Sequence, residues 1–355
     1  MPCVFLSQTA IQLSPTKVLI IYTGGTIGMV EDASSGSLHP LDFSHLSTEV
    51  PELDKLSVDL EVTSISDPID SSNVDPAVWL ELVDLIEKNY HAFHGFVILH
   101  GSDTMAYTAS ALSFLLEYNQ KPIIFTGSQL PIGKLRTDGK ENLITAIEIA
   151  GDYQQGIPMV PEVAIYFEYA LYRANRTLKI SAEHFEAFQS PNYPLLAEAG
   201  VHIKYNRFAI NKPEKDGVSL FCRKSVCCDV ASIKFFPGMR REAFNAVASI
   251  PGLKGLVIET FGSGNAPLVS WLKEEVEALI KQGVVILNIT QCVSGKVEQQ
   301  KYETGIHLEK MGIISGGDMT FEAAICKLMY LLACDELSSD ELRSYLSQSI
   351  RGELS

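Results

Sequence analysis

The chain has 355 residues, 46% of them hydrophobic and 20% charged, which is room for about two domains of ~100–200 residues each and a sizeable core. Acidic residues outnumber basic ones 43 to 28, for a net charge of −15 with no long block of one sign. A surface of that kind lacks the cationic face that non-specific binding to nucleic acid or an anionic membrane requires.

Four apolar runs occupy the first half: "KVLIIYT" (17–23), "GFVILH" (95–100), "PIIFTG" (122–127) and "VAIYFE" (163–168). Their lack of polar alternation predicts strands buried on both faces, as in a parallel sheet. Helical segments fall between them. "DPAVWLELVDLIEKNY" starts with Asp75 as N-cap and Pro76 at the first helical position, then places Trp79, Leu82, Val83 and Ile86 at helical spacing. Further helices are predicted at "TMAYTASALSFLLE" (104–117) and "KENLITAIEIA" (140–150). From about 190 to 228 the sequence turns Pro-, Lys- and Asn-rich with poor periodicity, and reads as an irregular connection. Alternation resumes with "VASIKFF" (230–236), "GLVIETFG" (255–262), "SWLKEEVEALI" (270–280) and "VVILNIT" (284–290), and closes with helices at 319–332 and 339–350. The fold class expected is α/β, two domains with mostly parallel sheets. The larger domain spans 16–205, a linker 206–229 and the smaller domain 230–355.

Other features bear on location and chemistry. No apolar stretch approaches the ~20 residues of a membrane span, and the first residues lack the basic start of a signal peptide. Seven cysteines at irregular spacing read as free thiols of a cytoplasmic protein. Cys222, Cys227 and Cys228 cluster, but no ligand-spaced histidines follow them to complete a zinc site.

Sites in open parallel sheets lie at the carboxyl ends of the strands, and here those ends read "TGGT", "HGSDT" and "TGSQ". None has the spacing of a dinucleotide fingerprint or the lysine of a phosphate-binding loop, and no G-x-S-x-G or H-E-x-x-H occurs. Hydroxyls, a carboxylate and a lysine suit nucleophilic acyl transfer, in which a threonine needs a nearby base. Ser102 and Asp103 lie at a presumed helix N-terminus, which also offers N–H groups to an anionic substrate. "LYRANRTLK" supplies Lys179. Taken alone, Ser102 reads better as an N-cap and Lys179 as a surface charge.

Taken together, "YTGGTIGM", "HGSDTMAYTASALSFLLE", "TGSQLP" with "DGKENL", "LYRANRTLK", "GSGNAP", "TQCVSGKV" and "GGDMT" resemble, in order and spacing, the L-asparaginases, and within them the bacterial cytoplasmic type I enzymes. The resemblance covers about residues 17 to 352. It implies hydrolysis of L-asparagine to L-aspartate and ammonia without metal or cofactor, and a homo-oligomer in which intimate dimers usually pair into tetramers. It implies that Thr26 attacks the amide carbon, with Ser102, Asp103 and Lys179 assisting proton transfer. Asp70 and Ser71 would hold the substrate's α-amino and α-carboxylate groups together with Ser102 and Asp103. Asn265 would stand near the partner subunit's site. Thr290 and Cys292 match part of an effector site. Three positions depart from the family pattern: Ser102 replaces a threonine, Leu38 stands where a loop tyrosine is usual, and Glu259 and Leu178 replace an arginine and a threonine of the effector site. A non-catalytic amino-acid-binding protein and an ammonia-releasing amidotransferase component are the alternative readings.

Overall fold

The computed structural model describes residues 15–31, 38–40, 50–212, 218–299 and 303–355. The first unit alternates β1 (Thr16–Tyr22), β2 (Val58–Ser64), α1 (Pro76–Asn89), β3 (Gly95–Leu99), α2 (Met105–Leu115), β4 (Ile123–Thr126), α3 (Gly139–Gly151) and β5 (Val163–Phe167). The five strands pair in parallel. A tight turn then folds β6 (Ala170–Arg173) back on β5 as an antiparallel hairpin. Its central residues Glu168 and Tyr169 both have positive φ, 45° and 68°, the backbone that hairpin turns of matching twist require. β7 (Ala197–Ala199) and β8 (Ile203–Tyr205) extend the same edge, so the sheet runs β8-β7-β6-β5-β4-β3-β1-β2.

A smaller C-terminal domain carries a separate parallel sheet. Its elements are β9 (Val230–Lys234), α4 (Arg241–Ala248), β10 (Gly255–Thr260), α5 (Ser270–Lys281), β11 (Val285–Thr290), α6 (Glu303–Lys310) and β12 (Ile314–Ser315). The strands lie in chain order, β9-β10-β11-β12. α7 (Phe321–Leu331) and α8 (Ser339–Ser347) close the chain.

Both sheets are covered on two faces, which explains the unalternating runs. One face of the first sheet, through Val18, Ile20, Val97 and Ile124, packs with Leu143, Ile147 and Ala150 of α3. Its other face, through Leu19, Ile21, Phe96 and Ile98, shares a core with α1, α2, α7 and one face of the second sheet, at Val257, Leu287 and Ile289. The far face of the second sheet packs with α4 and α5. α1 shows how sequence builds this layer. Asp75 caps it by accepting from Ala77 N at 2.9 Å, and Trp79, Leu82, Val83 and Ile86 are buried, each worth roughly 1.5–3 kcal/mol of transfer energy. α2 and α7 pack on one another and are buried nearly all round, as helices inside a molecule are.

The described parts of the segment 190–228 are more regular than its composition suggests. β7 and β8 fall inside it, and Phe221–Cys222 pairs with Leu116–Glu117. These pieces are two or three residues long, too short for periodicity to register. β2 also goes unread in the sequence: it is an edge strand of mixed exposure, "VDLEVTS".

Candidate active site

The first sheet brings its strand ends together through glycine. β1 stops at Tyr22, and Thr23 turns inward so that both its N–H and its Oγ1 donate to Leu99 O at 3.0 Å. Gly24 and Gly25 then take φ of +114° and +84°, conformations that side-chain-bearing residues avoid. Space demands glycine as well. A Cβ on Gly24 would lie 1.9 Å from Ile69 O, and one on Gly25 would lie 2.5 Å from the Gly101 Cα. The "TGG" that ends the strand is therefore the point where three loops touch. Thr26 follows directly, half-buried, opening the 3-10 turn Thr26–Gly28. Ser102 likewise follows the other glycine of the contact.

Asp70 and Ser71 belong to the second of these loops. Asp70 is exposed and caps the turn Ser71–Asn73, accepting from Ser72 N at 2.8 Å and Ser72 Oγ at 2.9 Å. Those hydrogen bonds, the main-chain one first, hold its carboxyl below the usual range. Ser71 is buried, with its Oγ 2.4 Å from where a Cβ on Gly101 would sit. Its carbonyl accepts from Thr104 Oγ1 at 2.7 Å.

The third loop starts at His100, whose N–H donates to Thr126 O at 2.9 Å. The ring is fully buried, and burial pushes the imidazole down to about 4, against the opposing contact with Gly101. Its Nδ1 lies 2.7 Å from Gly101 O. A carbonyl only accepts, so Nδ1 carries the proton. Ser102 and Asp103 come next, just before α2, and here Lys179 arrives from the chain that follows the turn Ala174–Arg176, which packs on α2. Its Nζ donates to Ser102 Oγ at 2.8 Å and to Asp103 Oδ1 at 2.6 Å. Lys179 is 17% and Asp103 62% exposed, so the pair is open to a ligand. Residues 76 and 77 positions apart in sequence thus form one hydroxyl–acid–amine group.

Two contributors were not singled out from the sequence. Gln129, from "TGSQ", accepts from Ser102 Oγ at 3.3 Å and donates to His184 O at 3.0 Å. Asp138 holds that loop by accepting from the main-chain N–H of Gln129 and of Leu130 at 2.9 and 3.1 Å, while burial pushes its carboxyl up. The strand end "TGSQ" marks this loop in the sequence but not which of its residues takes part.

The remaining candidates lie elsewhere. Asn265 closes a tight turn after β10, pairing main chain to main chain with Phe261 at 2.8 and 2.9 Å. Thr290 donates to Gly262 O at 2.5 Å and accepts from Cys292 N at 3.0 Å; Cys292 itself is exposed. Glu259 lies 3.6 Å from Lys234. Leu38 pairs through its main chain with Glu31 in a short hairpin; residues 32–37 and 41–49 around it lie outside the described residues. Among the described residues no group of three or more His, Cys, Asp and Glu could hold a metal. No described helix is long and apolar enough to cross a membrane, and the described cysteines are free.

Comparison with known proteins gives the same picture across nearly the whole chain. The family model "Asparaginase, N-terminal" matches residues 17–211, and "Glutaminase/Asparaginase C-terminal domain" matches residues 229–346. L-asparaginase 1 of Escherichia coli K12 is 39% identical over 345 residues, covering 95% of this chain and 98% of its own. The 60 kDa lysophospholipase of Mus musculus is 38% identical, over 95% of this chain and 62% of its own length. The crystal structure of L-asparaginase I from Vibrio cholerae superposes with a TM-score of 0.86 at 37% identity, covering 96% of this chain and 99% of that one.

Proposed function

This chain belongs to the asparaginase family of amidohydrolases, and from that premise we propose that it hydrolyses L-asparagine to L-aspartate and ammonia through an acyl-enzyme on Thr26. The observation that carries this reading is the contact of Lys179 Nζ with Ser102 Oγ and Asp103 Oδ1 at 2.8 and 2.6 Å, beside the glycine contact that Thr26 leaves. Thr26 Oγ adds to the side-chain amide carbon as its proton passes to Ser102 Oγ and the Ser102 proton passes on to the Lys179–Asp103 pair. The C–N bond breaks as the departing nitrogen takes that proton back by way of Ser102 and leaves as ammonia. Water then attacks the ester carbon, restoring the Thr26 hydroxyl and giving the aspartate carboxylate. Ser102 donates to Gln129 Oε1 in the resting arrangement, so its hydroxyl must swing from Gln129 to the Lys179–Asp103 pair for the relay to run. Gln129 is thus a holding acceptor. In this reading Asp70, Ser71, Ser102 and Asp103 bind the substrate's amino and carboxylate groups. No metal or cofactor is required by these steps.

The same reading takes the working form as a cytoplasmic homo-oligomer with Asn265 close to a neighbouring subunit's site, which light scattering on purified protein checks. Ammonia release from L-asparagine tests the reaction. Thr26→Ala should lower kcat at least ~10³-fold while the protein stays folded. A folded Thr26→Ala protein that keeps a tenth of the activity excludes Thr26 as nucleophile. Wild-type protein that binds asparagine without releasing ammonia would be a binding protein, and release only in the presence of acylated tRNA would make it an amidotransferase component.

A further inference from the structure

Gly28 closes the short turn that Thr26 opens, and its need to be glycine has a single cause. Its φ is not positive, unlike those of Gly24 and Gly25, so the backbone itself would accept a side chain. What forbids one is Tyr22. A Cβ on Gly28 would lie 2.3 Å from Tyr22 Cε2, 2.5 Å from Cζ and 2.6 Å from the hydroxyl oxygen. The same hydroxyl donates to Gly28 O at 3.4 Å.

Tyr22 has little freedom to yield. It is the last residue of β1, flanked by Ser64 and Leu99 of the neighbouring strands, and it is 3% exposed. Burial pushes its phenol up, which keeps the hydroxyl a neutral donor. The turn above it is held at both ends. Gly28 N donates to Gly25 O at 3.3 Å, and Ile27, 1% exposed, packs in the same core as Tyr22. Thr26 lies between these holds and is only half-buried. Because threonine branches at Cβ it is stiff at χ1, so the direction of its Oγ1 follows the backbone of the turn. That backbone rests on the ring.

We propose that Tyr22 is a positioning residue for the nucleophile, its ring a rigid floor under Gly28 that sets where Thr26 Oγ1 meets the amide carbon. This rests on the reading of Thr26 as the attacking group. In that reading substrate is held by the other two loops, at Asp70, Ser71, Ser102 and Asp103, so the floor acts on kcat and leaves KM nearly alone. A side chain that merely filled the core would act on stability instead, and would need no glycine opposite it.

The test is a size swap, read by steady-state ammonia release from the full chain with urea unfolding as the check on folding. Gly28→Ala should lower kcat at least ~10²-fold, since ~1 Å of misplacement at a reacting atom costs that much. KM should change by less than ~3-fold. Tyr22→Leu removes Cε2, Cζ and the hydroxyl, and alone should lower kcat about 10-fold. In that background Gly28→Ala should cost less than ~3-fold more, because the atoms it strikes are gone. Tyr22→Phe keeps the ring, so kcat should fall only ~2–5-fold, and Gly28→Ala should stay as damaging there as in the wild type. If Tyr22→Leu does not fold, Tyr22→Met takes its place, since a flexible thioether fills the core without the ring. Wild-type kcat in Gly28→Ala or in Tyr22→Leu, an equal Gly28→Ala loss with and without the ring, or a loss confined to KM or to stability overturns the proposal. The reading beneath it fails separately, through a folded Thr26→Ala protein that keeps its activity.

Discussion

Two lysine–carboxylate pairs of nearly equal length do opposite work in this molecule. Lys179 reaches Asp103 at 2.6 Å and Lys327 reaches Glu353 at 2.5 Å. Lys327 and Glu353 are wholly buried, and every group around them is engaged. Lys327 Nζ also donates to Leu346 O and Gln348 O at 3.3 and 2.5 Å, and Glu353 accepts from Ile350 N and Arg351 N at 2.7–3.1 Å. Burial pushes the Lys327 ammonium down, and Glu353 only partly restores it. Lys179 instead has a hydroxyl as its second partner and an acid that is 62% exposed. The closed pair anchors the C-terminal segment, and that segment supports the open one. Arg176 Nε donates to Gly352 O at 2.6 Å and its Nη1 meets Asp318 at 2.9 Å, which fixes the turn Ala174–Arg176 just before Lys179. A charged pair becomes structural when its donors and acceptors are all used and water is excluded, and stays available for chemistry when one partner is a hydroxyl and one side is open.

The comparison breaks if the two lysines can exchange consequences. Lys327→Met leaves Glu353 as an uncompensated buried charge, and should cost about 3–5 kcal/mol of unfolding free energy. Denaturant titration reads this directly, and the double variant Lys327→Met/Glu353→Gln should recover much of the loss. Lys179→Met should do the reverse, lowering kcat at least ~10³-fold, about 4 kcal/mol of barrier, with stability nearly unchanged. If Lys179→Met raised KM and left kcat alone, the lysine would be a binding group and the proton relay would be wrong.

His100 sharpens the comparison, because it is buried like Lys327 but has no charged partner, and it sits one residue from the glycine contact. Its imidazole is pushed down to about 4 when folded, against about 6.5 when unfolded. The folded state therefore binds fewer protons than the unfolded state between those values. Stability from this group is fully present above about pH 6.5 and is lost as pH falls toward 4, at up to ~1.4 kcal/mol per pH unit. Urea unfolding across that window should show the slope in the wild type. His100→Asn supplies an N–H in place of Nδ1 and does not titrate, so its slope should be shallower by about that amount. Equal slopes would mean that His100 is protonated in the folded state.

How far the sequence speaks follows the same division between closed and open. The central strands were legible because both faces are buried, so "KVLIIYT" or "GFVILH" has no polar alternation to confuse the reading. The short β7 and β8 were not, since half-exposed residues in runs of three carry no period, and the edge strand β2, "VDLEVTS", alternates apolar and polar residues where the buried strands do not. Ser102, Asp103 and Lys179 could be picked out as reactive groups following strand ends, helped by the family resemblance. Gln129 could not, because an uncharged amide after a strand looks like any loop. The Lys327–Glu353 pair was equally silent: a lysine inside the apolar run "AAICKLMYLL" gives no hint of a carboxylate 26 residues on.

The smallest effect is expected at the strand ends of the second sheet, where the type I resemblance places an effector asparagine near Thr290 and Cys292. Those ends resemble the closed pair. Thr290 is engaged with Gly262 O and Cys292 N, and Gln291 Nε2 donates to Phe235 O and Glu259 O at 2.6 and 2.8 Å. An effector's α-carboxylate needs a cation, and a hydrogen bond to a charged group is worth ~1.5–3 kcal/mol. At the position where such relatives carry an arginine this chain has Glu259, which repels a carboxylate, with Lys234 3.6 Å away across the strand pair. Leu178 offers no hydrogen bond in compensation. A ligand shifts a conformational equilibrium only through differential binding to its states, so a site that cannot hold the effector cannot regulate. Initial rates against L-asparagine, from well below to well above half-saturation, should follow a hyperbola, and Thr290→Val or Cys292→Ser should change them by less than about 2-fold, under ~0.5 kcal/mol. A sigmoidal curve that either substitution abolishes would show that the effector binds without the arginine, with Lys234 the nearest cation to replace it.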